Sequence, residues 1–239
     1  MLAPVIATEG RRQGPTEQEQ GSGTVPVPAP NRENETERRM AMQPEAETMN
    51  GYLEDTIIID WQSPPVWEKA RGLVADCRSE EECARALFEW VRDEIHHSDD
   101  IETDVVTCTA SSVLKEGTGL CFAKSHLLAA FLRATGIPAG FGYQRLRRDP
   151  PYEGHALHGF VCAYLAQHDR WVVLDPRGNN ERVHTEFDIH EPSFAYQPDP
   201  EEGEKTIEII FTRPNRSLVD LLEGNESLEK LRLHIPGEL

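Results

Sequence analysis

The chain has 239 residues and a formal net charge of −18. That length holds one large domain or two small ones. The acidic balance disfavours nucleic acid, whose binding rests on neutralising phosphates, and anionic membrane surfaces, and no apolar run is long enough to span a bilayer. Residues 1–50 contain six prolines and no Phe, Tyr or Trp, whereas all four Trp, five Tyr and eight Phe lie from Gly51 onward. A segment so poor in apolar side chains cannot offset its ordering entropy. A disordered tail is therefore expected over 1–50 and a folded domain over 51–239. The tail carries five Arg and eight Glu, which leaves −15 on the domain.

The opening residues, MLAPVIATEGRR, have no basic region ahead of a short apolar stretch, so a signal peptide is not expected. The five cysteines are odd in number and contain no CxxC pair. This usage suits reduced thiols in a cytoplasmic protein, and it predicts neither a structural zinc site nor any other metal or cofactor.

Ile57–Ile59 reads as an extended entry segment, and Ser63-Pro64-Pro65 as a helix start with proline in the first turn. A second helix opens at Ser79 with Glu82 three residues on, the spacing of a capping box. Cys77 and Cys83 fall on the apolar faces of these two helices and read as packing residues. His96-His97-Ser98-Asp99-Asp100 interrupts the pattern. Adjacent side chains diverge and no distant ligands are evident, so a solvated loop is expected there rather than a metal site. Thr109–Glu116 reads as a short helix closed by Gly117.

The segment GTGLCFAKSHLLAAFLRATGIPAGF, from Gly117 to Phe141, predicts the best-delimited helix. Leu120, Cys121, Leu127, Leu128, Phe131 and Leu132 form a broad apolar stripe, and Gly136 and Pro138 stop the helix. Cys121 thus lies at or near the first turn. His126 falls off its face and is given no role. Strands follow at Ala139–Gln144, His158–Leu165, Trp171–Asp175 and Thr206–Thr212, then weak helical pieces near Leu218–Leu222 and Ser227–Leu233. Helices first and strands later indicate an α+β domain with N-terminal helices packed on an antiparallel sheet.

Cys121 opens a helix, His158 opens one strand of a hairpin and Asp175 ends the other. A turn centred between Ala166 and Gln167 would pair His158 directly with Asp175. One centred on His168-Asp169 would leave them four positions apart, about 13 Å along the strand. The chemistry explains the interest in the trio. The thiolate is the reactive form of cysteine, and a helix N-terminus and an imidazolium both favour it. The histidine moves the proton, a carboxylate orients the ring, and backbone N–H groups around Leu120–Phe122 can receive an oxyanion. Gly117 and Gly119 would allow close approach of substrate.

These residues resemble the transglutaminase-like superfamily of papain-like fold over about residues 84–180. Gly119-Leu120-Cys121 followed by Arg133-Ala134-Thr135-Gly136-Ile137-Pro138-Ala139 is similar to the family's first signature. His158-Gly159-Phe160-Val161-Cys162-Ala163-Tyr164-Leu165 resembles the second, and Trp171 with Asp175-Pro176 the third. Phe160 and Cys162 depart from the family's usual Trp and Glu. The resemblance implies a papain-like core with Cys121 as nucleophile, His158 as base and Asp175 as its partner. His155 competes as the histidine, but choosing it shifts the Tyr164-Leu165 match by three residues. Candidate substrate contacts are Gly119, Phe122, Arg177 and Asn179. Cys162 has the same strand parity as His158 and is assigned to packing, and the role of Cys108 is open.

The expected function is a thiol-dependent acyl transfer on amides, to water or to an amine, with a peptide, protein or small amide as partner. A noncatalytic binding domain of the same fold is the alternative. Extra β-domains, calcium sites and paired CxxC zinc ligands, marks of other branches of the superfamily, are not recognisable.

Overall fold

The computed structural model describes residues 42–239. Two prolines open helix α1 (Pro64–Leu73), where their missing N–H groups cost nothing. Helix α2 (Glu80–Glu94) starts at Ser79, whose Oγ accepts from the Glu82 N–H at 3.1 Å. The return arm of the expected capping box falls one residue early. The Glu82 carboxylate accepts from the Arg78 N–H at 2.7 Å instead of from Ser79.

The histidine pair that follows is not a solvated loop. His96–His97 form a two-residue strand, β2, which pairs in parallel with β3 (Thr118–Gly119). Only His96 stays exposed, while His97 is buried and its Nδ1 accepts from the Asp99 N–H at 3.2 Å. Between these strands lies helix α3 (Ala110–Glu116), capped by Thr109 and ended by Gly117 in the left-handed region, φ +66°. Among the described residues, no group of three or more His, Cys, Asp or Glu could hold a metal ion.

Helix α4 (Cys121–Ala134) is buried at every position from Cys121 to Arg133. It packs on α1, α2, α3 and the sheet. The expected apolar stripe is therefore one side of a helix enclosed all round. Its polar side chains are satisfied by backbone carbonyls: Ser125 Oγ donates to Gly159 O at 3.3 Å, and His126 Nδ1 lies 2.7 Å from Cys108 O. Burial pushes the His126 ring down to about 4, against the pull of that carbonyl, so the ring is neutral at neutral pH.

The sheet adds β4 (Ala139–Arg147), β5 (His155–Leu165), β6 (Arg170–Leu174) and β7 (Lys205–Phe211). Its order is β1-β7-β4-β5-β6, with β1 being Gln43–Pro44. Every pairing is antiparallel except β1 with β7. The fold is α+β, as the element order predicts. Leu157, Val161, Ala163 and Leu165 of β5 face the helices in the main core. Phe160 and Cys162 face the other way, into a smaller core with Met49, Tyr52, Val173, Phe194 and Ile210. Cys162 is thus a packing residue, and burial raises its thiol.

The second core moves the domain boundary. Residues 1–41 of the expected tail lie outside the described residues, but 42–50 belong to the domain. Gln43–Pro44 pair with Ile209–Ile210, and Met49 is buried. Aromatic content, which points to residue 50, does not register a two-residue strand or one buried Met. The C-terminal pieces form α5 (Arg216–Gly224) and α6 (Leu228–His234).

Arg133 closes α4 against three segments. Its guanidinium donates to Ala139 O (2.8 and 3.1 Å), Glu54 O (2.8 Å) and Thr212 O (2.7 Å) while only 2% exposed. Arg133→Met would orphan all three carbonyls. It is expected to lower unfolding stability by about 3 kcal/mol or more, read from the urea midpoint at constant m-value.

Candidate active site

Cys121 is the first residue of α4. Leu120, its N-cap, contributes no side-chain hydrogen bond, and the first turn holds no acidic residue. The first intrahelical bond runs from the Lys124 N–H to Leu120 O at 2.9 Å. The amides ahead of it, those of Cys121 and Phe122 included, are therefore outside the helix ladder, and the positive end of the helix is uncompensated beside the sulfur.

Two glycines bring this end close to its neighbours. A Cβ at Gly159 would sit 2.8 Å from the Phe122 ring, so only glycine lets β5 pass against the first turn of α4. At Gly119 a Cβ would meet Ala123 Cβ and Thr107 Oγ1 at 3.0 Å. Phe122 and Gly119 are thus packed into the framework that carries the thiol, both buried.

The hairpin adopts neither turn weighed above. Ala166–His168 form a 3-10 turn, Asp169 takes φ +49°, and Leu165 pairs with Arg170. Continuing that register past Val161–Leu174 puts Asp175 opposite Phe160, two residues from His158 and on the same face. The offset is roughly 7 Å along the strand, within reach of an imidazole. His158 Nε2 lies 2.8 Å from Asp175 Oδ2. The other ring nitrogen, Nδ1, is not used by Asp175, and the Cys121 sulfur lies near enough to the ring to help raise it. His155 lies elsewhere: its Nε2 is 3.0 Å from Glu202 O.

Burial is high: Cys121 is 8% exposed, His158 4% and Asp175 0%. Burial alone would disfavour a charged imidazole, but Asp175 and the Cys121 sulfur outweigh it and raise the ring above its ordinary value. Asp175 is held in turn. Its Oδ1 accepts from the Arg177 N–H at 3.2 Å and its Oδ2 from the Ala195 N–H at 2.8 Å. The Tyr196 ring meets His158 edge-on, centroids 5.0 Å apart at 87°, and covers the pair from the solvent side.

Arg177 supports that cover. Its Nε donates to Tyr196 Oη at 3.1 Å and both terminal nitrogens bond the Asp100 carboxylate. Although burial opposes it, this pairing lowers the Asp100 carboxyl. The Asn179 side chain bonds Thr185, donating to its carbonyl at 3.2 Å and accepting from its N–H at 2.7 Å. Arg177 and Asn179 thus brace the loops behind the site. Gln144, opposite His158 across β4 and β5, donates to Tyr196 O at 3.3 Å. Ala195 and Tyr196 fall in a stretch without hydrophobic period, where no sequence signal marks them.

The other thiols differ in setting. Cys108 is pushed up to about 12 by burial, and Cys83 to about 11 by burial and its neighbour Cys77. Neither touches the imidazole.

Residues 68–176 match the family model described as the transglutaminase-like superfamily. No curated protein matches the chain by sequence. Solved structures do. A protein from Cytophaga hutchinsonii, described as a candidate cysteine protease, shares 18% identity at a TM-score of 0.43, over 53% of this chain and 40% of its own. The periplasmic domain of TgpA from Pseudomonas aeruginosa shares 21% at 0.40, over 52% and 46%. Red sea bream transglutaminase shares 14% at 0.32, over 54% and 27%. The chain spans less than half the length of each.

The His158 geometry sets a pH dependence. A ring whose folded pKa is raised adds stability that is complete below its unfolded value near 6.5 and is lost as pH rises through the folded value. Asp175→Asn removes the main support for that rise. Stability of the wild type is expected to fall more steeply from pH 6.5 to 9 than that of Asp175→Asn, as read from paired urea midpoints. Parallel curves would contradict the pairing.

Proposed function

We propose, for a chain whose residues 68–176 match the model of the transglutaminase-like superfamily, that it is a thiol-dependent acyl-transfer enzyme acting on amide bonds. The observation that carries this reading is the placement of the Cys121 thiol. It sits at an uncapped helix N-terminus beside a ring whose Nε2 is 2.8 Å from a buried carboxylate.

In the reaction the Cys121 proton passes to His158, and Asp175 stabilises the imidazolium that forms. Sγ attacks the substrate carbonyl carbon, and the carbonyl π pair moves to oxygen. The amides of Cys121 and Phe122, which lie outside the helix ladder, are the donors proposed for that oxyanion. Collapse restores the carbonyl and breaks the C–N bond, and the departing nitrogen takes the proton from His158. This leaves a thioester on Cys121. Water or an amine then loses a proton to His158 and attacks the thioester, and the thiolate leaves. A water acceptor makes the reaction a hydrolysis and an amine acceptor makes it a transamidation.

The proposed partner is a peptide, protein or small amide rather than nucleic acid or a membrane. The net charge of −18 supports the first exclusion. Among the described residues no helix is long and apolar enough to cross a membrane. A cytoplasmic location is proposed on the five unpaired cysteines.

Iodoacetamide at neutral pH is expected to alkylate Cys121 first, as read by peptide mass mapping, and His158→Ala is expected to slow that step at least tenfold. With a peptide and amide library, the wild type should accumulate a thioester that Cys121→Ala cannot form, and His158→Ala should lower turnover by about 10²–10⁴. Alkylation at the rate of a free model thiol, indifferent to His158, would instead favour the noncatalytic binding domain.

A further inference from the structure

The first turn of α4 carries a second unusual residue. Lys124 lies three positions after Cys121, on the same side of the helix, and is wholly buried. Its Nζ donates to Arg92 O at 3.2 Å and to Ile95 O. These carbonyls belong to the last turn and the C-cap of α2, where the helix presents its negative end. The turn after Asp175 closes on the same point. Gly178, at φ +102°, passes so near that a Cβ there would lie 3.2 Å from Arg92 O and 3.3 Å from Lys124 Nζ. One ammonium therefore touches the C-terminus of α2, the turn that follows Asp175 and the helix that bears the thiol.

We propose that Lys124 is a positioning residue for the Cys121 thiolate, fixing the first turn of α4 against α2 and the Asp175–Gly178 turn and offsetting the negative end of α2 beside the sulfur. The proposal rests on the catalytic reading above. Without the cation, the Arg92 and Ile95 carbonyls would lose the donor they share, and the first turn of α4 would lose its tie to α2. The charged and titratable groups around Lys124 come from three elements: Arg92 and Asp93 of α2, His97 and Asp100 of the segment after it, and Asp175 and Arg177 of the hairpin end. Arg177 is already paired with Asp100, and burial and nearby cations keep His97 neutral. A cavity of about 250 Å³ lined by Lys124, Asp93, Asp100, Gly178 and Asn180 gives the ammonium a route to exchange its proton. Burial and the Arg177 charge pull Lys124 down to about 7, so its charge changes within the working range of a thiol enzyme.

The test is the pH profile of Cys121 alkylation by iodoacetamide in wild type and Lys124→Gln, which keeps two donors and loses the charge. Lys124→Gln is expected to react about fivefold more slowly at pH 6, with the two rates converging by pH 9, where the wild-type lysine has lost its charge and matches the neutral glutamine. A ratio constant across pH, even a low one, assigns Lys124 to packing alone and overturns the proposal. If Lys124→Gln does not fold, the wild type answers the same question through reciprocity. In protein labelled with ¹³C-lysine, the Lys124 resonance should titrate at lower pH after Cys121 is carboxamidomethylated, because the thiolate that favours the ammonium is gone. An unmoved midpoint overturns the proposal. Wild-type Cys121 no more reactive than a model thiol would sink the catalytic reading itself, an outcome distinct from an activated thiol indifferent to Lys124.

Discussion

Everything at the site depends on the burial of α4. A helix enclosed on all sides cannot turn its polar side chains to water, so each must find a partner inside. Lys124, Ser125, His126 and Arg133 each bond a backbone carbonyl of a surrounding segment: the end of α2, β5, the approach to α3, and the three strands and loops around Ala139. These bonds fix the rotation and height of α4, which an apolar interface alone would leave to packing. The first turn is then held in one place, and the thiol with it.

The second requirement is electrostatic. The Cys121–His158–Asp175 line is nearly closed to water, so each charge on it interacts through a weakly screening medium. Asp175 would be costly there without donors, and it has three: the His158 ring and the N–H groups of Arg177 and Ala195. Two of the three are backbone groups on loops. The long irregular segment after β6 is therefore part of the site's structure, and Phe194 anchors it by meeting Phe160 edge-on, ring centroids 5.0 Å apart.

What the sequence discloses follows from what local pattern can encode. The thiol at a helix start was legible because Gly119, Cys121 and the Gly136–Pro138 stop bracket a periodic run. The hairpin was legible from its alternation, but its register was not. The offset of two residues is set by a 3-10 turn at Ala166–His168 and by Asp169 at positive φ, and neither has a strong composition signal. The His96-His97 pair read as a loop because a two-residue parallel bridge to Thr118–Gly119 is a long-range contact with no local period. Lys124 did leave a trace. The far side of its helix is Ala123, Ala129 and Ala130 rather than charged residues, a pattern that belongs to a helix buried all round. Tyr196 left none, since its place over His158 comes from the path of a loop.

The three residues of the site sit 37 and 17 positions apart along the chain and on three different elements. His158 and Asp175 meet only after the hairpin has taken its offset register, and α4 reaches them only because Gly159 lets it in. No single helix or hairpin contains the pair and the thiol together. During synthesis, residue 121 leaves the ribosome well before residue 175 exists. The pairing of β5 with β6 is thus the step that brings the imidazole and its carboxylate together beside the helix that bears the thiol.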